Sequence, residues 1–373
     1  ITSKNGMTGL AHRGFSMFDY GHHMIHTLRK AGYISALSGI QHIAHGEDAW
    51  KTIGYDQWLG GHSNAHLQAA NFLRQPRNSP FFLSVGFFET HREFPIGHPD
   101  EDPRFCLVPP MLPDAPETRL DMAGFRQSAR ILDGKMGTVF SALDEAGLSE
   151  NTLVICTTDH GIAFPRMKCN LEDSGTGVML IMRGPGGFRG GKVIDAMVSH
   201  LDVFPTICEL LGLEIEPRLE GKSMLPLING TAGSIHEDLF FEINYHAAYE
   251  PVRAIRTKCW KYIRRFDPRK APVLPNCDDS LSKNCWLRSG WADALPDTEA
   301  LYNLALDPNE KNNLFLRQGY GAVAEEMRFR LDKWMKMTND PLLNGDIPIQ
   351  PAARMVSRDG LSPLSDFLPE GEK

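Results

Sequence analysis

Long apolar runs are missing from this 373-residue chain. No stretch approaches the ~20 apolar residues that a helix needs to cross a bilayer, so no membrane span is expected. Paired cysteines are missing as well. Seven cysteines are spread singly with no Cys-x-x-Cys, which excludes a zinc ribbon or a thioredoxin-like motif. The spacing of Cys277 and Cys285 allows a bridge across one loop, but unpaired thiols are the expectation. A long basic run is also absent, and the net charge is −7. That argues against a nucleic-acid partner and still leaves room for a local basic pocket that takes an anion. The first residue is Ile1 and not Met, no signal peptide is visible, and a fragment or processed form is the expectation; no internal repeat or low-complexity tract is visible.

What is present reads as a globular chain, 42% hydrophobic and 23% charged, long enough for one large domain and a smaller one. Helices and strands alternate through the first 230 or so residues. "HHMIHTLRKAGYISALSG" reads as a helix to Lys30, a stop at Gly32 and a strand over Ile34–Leu37. "SPFFLSVGFFETH" is an apolar run, Phe81–Phe88, that ends in polar residues. Phe125, Ala129, Leu132, Met136, Val139 and Leu143 recur at steps of three and four, as in an amphipathic helix. "NTLVICTTDHG" and "GVMLIMRGPG" read as further strands, and "SHLDVFPTICELLG" as a helix.

Buried strands alternating with amphipathic helices imply an α/β fold, a mostly parallel sheet flanked by helices. A smaller antiparallel sheet with a covering helix is expected after it. "PVRAIRTKCWKYIRRFD" supplies two of its strands, and Val323, Met327, Leu331 and Trp334 lie on one face of the helix. The expected division is 1–232, 233–350 and a loosely packed tail, 351–373. A loop is expected from Ala271 to about Pro296.

Ligands of such sheets sit beyond the carboxyl ends of the strands. His42, His91 and Asp159-His160 all fall at such ends, in chain order, and Lys168 follows. Taken singly, each has an ordinary structural alternative: Asp159 as a cap, His91 and His42 as loop residues, Lys168 as a solvated charge. Taken together they suggest a metal-assisted site for a sulfate or phosphate ester. Asp159 is a hard oxygen donor and His160 a tolerable neighbour for a divalent ion. Lys168 offers a point charge to a tetrahedral anion. His91 suits a general acid. Arg92 is either a second anion contact or a salt-bridge partner.

These segments resemble the sulfatase family of the alkaline phosphatase superfamily, nearest its sulfamidase-like (N-sulfoglucosamine sulfohydrolase-like) branch. "TTDHG" with Lys168, "LIMRGPG", "SHLDVFPTICELLG" and "ALYNLALDPNEKNNL" are similar to that family's segments in the same order. "NGMTGLAHRGF" is similar to the segment trailing the nucleophile, and "FFETHREF" to the one bearing an active-site histidine. The resemblance implies an alkaline-phosphatase-like fold and hydrolysis of a sulfuric ester or sulfamate on a sulfated sugar. It implies a formylglycine nucleophile, made from Cys or Ser in C/S-x-P-x-R, whose hydrate attacks sulfur and then expels sulfate. It also implies a divalent metal, usually Ca²⁺. Carried over, Asp159 and His160 are metal ligands, Lys168 contacts the sulfate, His91 sits near the leaving group and His42 near the formylglycine. Gln41, Arg92, His246 and Arg253 are candidates for binding the sugar, with Tyr245, Tyr249 and Glu250 beside them; ordinary packing of the second sheet is the alternative for that group.

The sequence departs from the family pattern twice. No C/S-x-P-x-R occurs, nor the early Asp-Asp pair that completes the metal site. Both are expected upstream of Ile1. The chain alone is therefore expected to be inactive, with two sheet edges exposed where a central strand is wanting. Secondly, the usual Gly-Lys-x-His is Gly39-Ile40-Gln41-His42, which removes one cation. Two other readings remain: a phosphonate monoester or phosphodiester hydrolase of the same superfamily, and a non-catalytic sulfated-glycan-binding relative. The compartment stays open between cytoplasm and periplasm, with scattered odd cysteines leaning to the cytoplasm.

Overall fold

Small residues in the first strand decide how closely its neighbours approach. The computed structural model describes residues 2–373. Helix α1 (Met24–Lys30) leads into strand β1 (Ile34–Gly39). Strand β2 (Gln57–Gly60), helix α2 (Ala65–Arg74) and strand β3 (Phe81–Gly86) follow. The three strands form a parallel sheet ordered β2-β1-β3. Ala36 of β1 packs against Ala70 and Leu73 of α2 and against Ala142 and Leu143 of a long helix, α3 (Pro116–Glu145). Pro116 stands in the first turn of α3, where its missing N–H costs nothing. This early start makes α3 longer than its central apolar stripe suggests.

Strands β4 (Val154–Thr157) and β5 (Leu180–Arg183) pair antiparallel and form a sheet of their own. The expected parallel sheet flanked by helices is β2-β1-β3; β4 and β5, read as further strands, pair apart from it. The difference has a simple cause: the chain leaves β4 at its carboxyl end and β5 begins at that same end, with Thr157 opposite Leu180, so β5 can only run back. Among the described residues neither β3 nor β4 has a further strand partner on its second edge. All six residues of β3 are only half-buried. Helix α4 (Val203–Leu210) follows, with Pro205 in its first turn.

The C-terminal sheet is antiparallel throughout, ordered β6-β7-β8-β9. Its strands are β6 (Leu239–Tyr245), β7 (Tyr249–Arg256), β8 (Trp260–Arg265) and β9 (Glu299–Asn303). Between β8 and β9 the expected loop contains helix α5 (Leu281–Arg288), whose Ser280 cap accepts the Lys283 N–H. Helix α6 (Gly321–Met337) covers the sheet. Ala324, Met327, Leu331 and Met335 of α6 pack on Ile255, Tyr262 and Leu301, and Trp334 stacks on Phe240.

The tail is not loose at its start. Ala353, Met355 and Val356 are buried, the first two beside Phe15, Tyr245 and Tyr249, because the apolar "AARMV" finds an open face there. All seven cysteines are free thiols, Cys277 and Cys285 included.

Candidate anion and metal site

Two glycines bring the first two strand ends together. Gly39 pairs with Gly86 in the β1–β3 register, and the Ile40 N–H donates to the Gly86 carbonyl at 2.9 Å. A Cβ on Gly86 would meet the Ile40 oxygen at 1.8 Å, so only glycine permits this approach. His42 and His91 leave the sheet just beyond.

The side chains that feel one another electrostatically form a single group. The His42 imidazole is lowered in pKa by burial, opposed by the Asp159 carboxylate, with His91, Lys168 and His160 adding to the lowering. His12 lies 5.4 Å from His42, ring to ring, and is lowered to about 4 by burial and then by His42, Arg13 and Lys168. His246 is pushed down to about 3 by burial and Lys168. A cleft of about 540 Å³ is lined by His12, Gln41, His42, Ala44, His45 and Glu47.

Asp159 and His160 lie side by side beyond the end of β4. The His160 Nδ1 lies 2.6 Å from the Gly161 carbonyl. A carbonyl can only accept, so Nδ1 carries the proton and Nε2 keeps its lone pair. That Nε2 lies 3.5 Å from Oδ2 of Asp159, whose carboxylate is exposed. A nitrogen and a carboxylate oxygen thus lie close together. The described residues contain no group of three His, Cys, Asp or Glu side chains able to close a coordination shell, so this is an incomplete donor set. His200 stands near, lowered by burial, with its Nε2 2.7 Å from the Thr157 hydroxyl.

Lys168 is buried and ion-paired. Its Nζ donates to Oδ2 of Asp278 at 2.9 Å. Arg166 and Cys169 on either side both hold left-handed backbone, with φ of 61° and 60°. Non-glycine residues adopt that conformation at a cost, and such strain collects at functional sites. Burial alone would raise the Asp278 carboxyl, but Lys168 and then His246 hold it below the usual range.

His91 projects from the loop after β3, exposed, with Nδ1 2.6 Å from the Arg92 carbonyl. By the same argument its Nε2 is the free nitrogen.

Three candidates are spent elsewhere. Arg92 is buried, forks onto both oxygens of Asp121 at 2.6 and 2.8 Å, and lies between Phe94 and Phe164. Arg253 is fully buried and forks onto Asp340 at 2.6 and 2.9 Å. In both, a carboxylate takes the fork and backbone carbonyls take further N–H groups, so each guanidinium is committed inside the protein. Gln41 folds back on its own loop: its oxygen accepts from Ile43 and Ala44 and its nitrogen donates to the Ala44 carbonyl. His246 keeps its candidacy, because its buried Nδ1 has no hydrogen-bond partner. Tyr245 and Tyr249 are core residues, and Glu250 pairs with Arg265.

Two members of the group went unread. His12 sits in "LAHRG" with nothing local to single it out. Asp278 meets Lys168 across 110 residues of sequence. Only the "DD" at Asp278-Asp279 hinted at it.

The chain belongs to the sulfatase family: the family's sequence model, described as Sulfatase, matches residues 11–213. A second model, N-sulphoglucosamine sulphohydrolase, C-terminal, matches residues 166–274. The human N-sulphoglucosamine sulphohydrolase is 27% identical over 91% of this chain and 78% of its own length. An ulvan-active sulfatase of Formosa agariphila is 26% identical over 62% of this chain, which spans only 41% of that enzyme. Among solved structures, a protein in complex with its substrate D-glucosamine-2-N,6-O-disulfate shares the fold, with a TM-score of 0.64, 16% identity and coverage of 91% of this chain and 88% of that one. Sulfatases are hydrolases that generally use a formylglycine and a divalent metal.

Proposed function

We propose that the protein hydrolyses a sulfuric ester or sulfamate on a sulfated, glucosamine-type sugar. The carrying observation is the facing of His160 Nε2 and Asp159 Oδ2 at 3.5 Å, in electrostatic reach of Lys168 and His42. The similarity to the human sulphohydrolase and the fold shared with a protein whose substrate is a disulfated glucosamine support the choice of sugar.

Asp159 and His160 would hold half of the metal shell, with Ca²⁺ the ion best suited to a carboxylate-led set. When bound, such an ion withdraws charge from sulfate oxygens and favours attack at sulfur. The chain's own residues do the rest. Lys168 holds one sulfate oxygen through a charge-assisted hydrogen bond. His42 stays neutral near pH 7, because its pKa is lowered, and acts as donor or acceptor without adding a charge. His91 has its tautomer fixed by the Arg92 carbonyl, so Nε2 is the atom that takes up a proton and delivers it to the leaving oxygen or nitrogen. Arg92, clamped on Asp121, positions His91 and makes no substrate contact.

The experiment is sulfate release from glucosamine N-sulfate and 6-O-sulfate by the protein expressed from its natural gene. Release that stops with chelator and returns with Ca²⁺ is the expected result. Binding of the sugar with no release would instead make the protein a sulfated-glycan binder. Faster turnover of an aryl phosphodiester than of the matched aryl sulfate would favour a phosphodiesterase.

A further inference from the structure

We propose that Glu310 is a positioning residue: through the helical turn Asp173–Thr176 it sets the place of the loop that carries Asp159, His160 and Lys168, without touching a ligand. This role presupposes the metal and anion site of the proposed function, and it gives the Asp-Pro-x-Glu signature of residues 307–310 a task there.

The turn Asp173–Thr176 is wedged between two parts of that loop. On one side the Gly161 N–H donates to the Gly175 carbonyl at 2.8 Å, and a Cβ on Gly161 would meet the Ser174 carbonyl oxygen at 1.9 Å. His160 is the preceding residue. On the other side a Cβ on Gly175 would meet the carbonyl oxygens of Met167 and Asn170, each at 2.3 Å, and Lys168 follows Met167 directly. Backbone packed this tightly passes a shift of the turn to both His160 and Lys168.

The C-terminal sheet grips the turn from outside the loop. Glu310 is 2% exposed, and its Oε2 accepts the Asp173 N–H. The Asp173 carboxylate takes Arg256 of β7 at 3.0 Å and Lys261 of β8 at 2.8 Å, and Lys261 also donates to the Thr176 hydroxyl at 3.0 Å. Those two cations hold side chains; Glu310 holds the backbone of the turn. Its own motif aims it. The Glu310 N–H donates to the Asp307 carbonyl at 3.1 Å, and Oδ2 of Asp307 accepts the N–H groups of Lys311 and Asn312, each at 2.8 Å. Glu310 keeps a left-handed φ of 50°, a conformation that persists in a non-glycine residue only where its surroundings fix it. Burial, opposed by Lys261 and assisted by the Asp173 and Glu172 carboxylates, raises the Glu310 carboxyl to about 7, so a glutamine amide is a close match for its neutral form.

The test follows two readouts at pH 7 on the protein expressed from its natural gene. One is hydrogen exchange of residues 161–177 by mass spectrometry, and the other is Mn²⁺ affinity by calorimetry. Glu310→Ala leaves the Asp173 N–H without its acceptor. Exchange in 161–177 should quicken by about tenfold or more, and Mn²⁺ should bind about tenfold more weakly. Glu310→Gln keeps an acceptor oxygen at the same reach and should return both readouts to near the wild-type values. Glu310→Asp, one methylene shorter, should behave as Glu310→Ala and takes its place where that variant does not fold. Exchange in 161–177 that is unchanged in Glu310→Ala, or that quickens equally in helix α1 and strand β1, would mean a merely structural glutamate and overturns the inference while the site reading stands. Faster exchange with unaltered Mn²⁺ affinity overturns it as well. A wild-type protein that binds no Mn²⁺ overturns the metal-site reading and the inference with it.

Discussion

Arg92 Nη1 lies 2.6 Å from Oδ1 of Asp121, and both side chains are at least nine-tenths buried. Asp121 also accepts the hydroxyl of Ser282 at 2.5 Å, so one carboxylate joins the His91 loop, the long helix α3 and the start of helix α5. Replacing Arg92 by Leu strands that carboxylate in an apolar setting. The expected loss is about 3–5 kcal/mol, read as a lower urea midpoint. An unchanged midpoint would show that the ion pair does not hold this junction.

Metal binding should depend on two residues that stability ignores. Asp159 is exposed and His160 partly so, hence Asp159→Asn and His160→Gln should leave the unfolding midpoint within error. Each should weaken Ca²⁺ or Mn²⁺ binding by about 10–100-fold in titration calorimetry. Wild-type affinity in either variant would place the metal elsewhere.

Glu310 gives a pH signature away from the site. It is 2% exposed, and burial, opposed by Lys261, raises its carboxyl to about 7. The folded state therefore binds this proton more tightly than the unfolded state, whose carboxyl titrates near 4.5. Its stabilising share is complete below 4.5 and is lost as pH rises through 7. Glu310→Gln should flatten the fall in stability between those limits, by up to about 3 kcal/mol. The difference between the two urea midpoint–pH curves is the readout, since the buried histidines contribute equally to both.

Gly86→Ala tests what brings the strand ends together. The added methyl would meet the Ile40 carbonyl at 1.8 Å, so β1 and β3 must part. A cost of about 1–3 kcal/mol is expected, together with weaker phenyl sulfate binding as His42 and His91 separate. Gly134→Ala is the control: it sits on α3 with nothing within 4 Å and should gain about 0.5–1 kcal/mol. Equal behaviour of the two variants would refute the role given to Gly86.

How much of this was legible in the sequence depends on distance along the chain. Strands β1, β3 and β4, helix α6, and the strand-end positions of His42, His91, Asp159 and His160 follow from local patterns. What escaped needed partners from far away. Asp121 lies 29 residues from Arg92, and Asp340 lies 87 from Arg253; those carboxylates turn two candidate substrate contacts into buried forks. Asp278 reaches Lys168 over 110 residues. The return direction of β5 was unreadable because strand composition does not encode direction. Helix α5 was hidden by the prolines and aspartates around it.

Gly14 touches the other end of the chain. Its Cβ position lies 2.0 Å from the Ala352 carbonyl, and the Arg354 N–H donates to the Arg13 carbonyl at 2.8 Å. The segment bearing His12 is thus held by residues beyond 350, while Lys168 is held by Asp278. Heat or denaturant should meet no stage at which the anion pocket outlives the C-terminal sheet. Inactivation and loss of the C-terminal tryptophan signal from Trp260 and Trp334 should then be one transition with one midpoint.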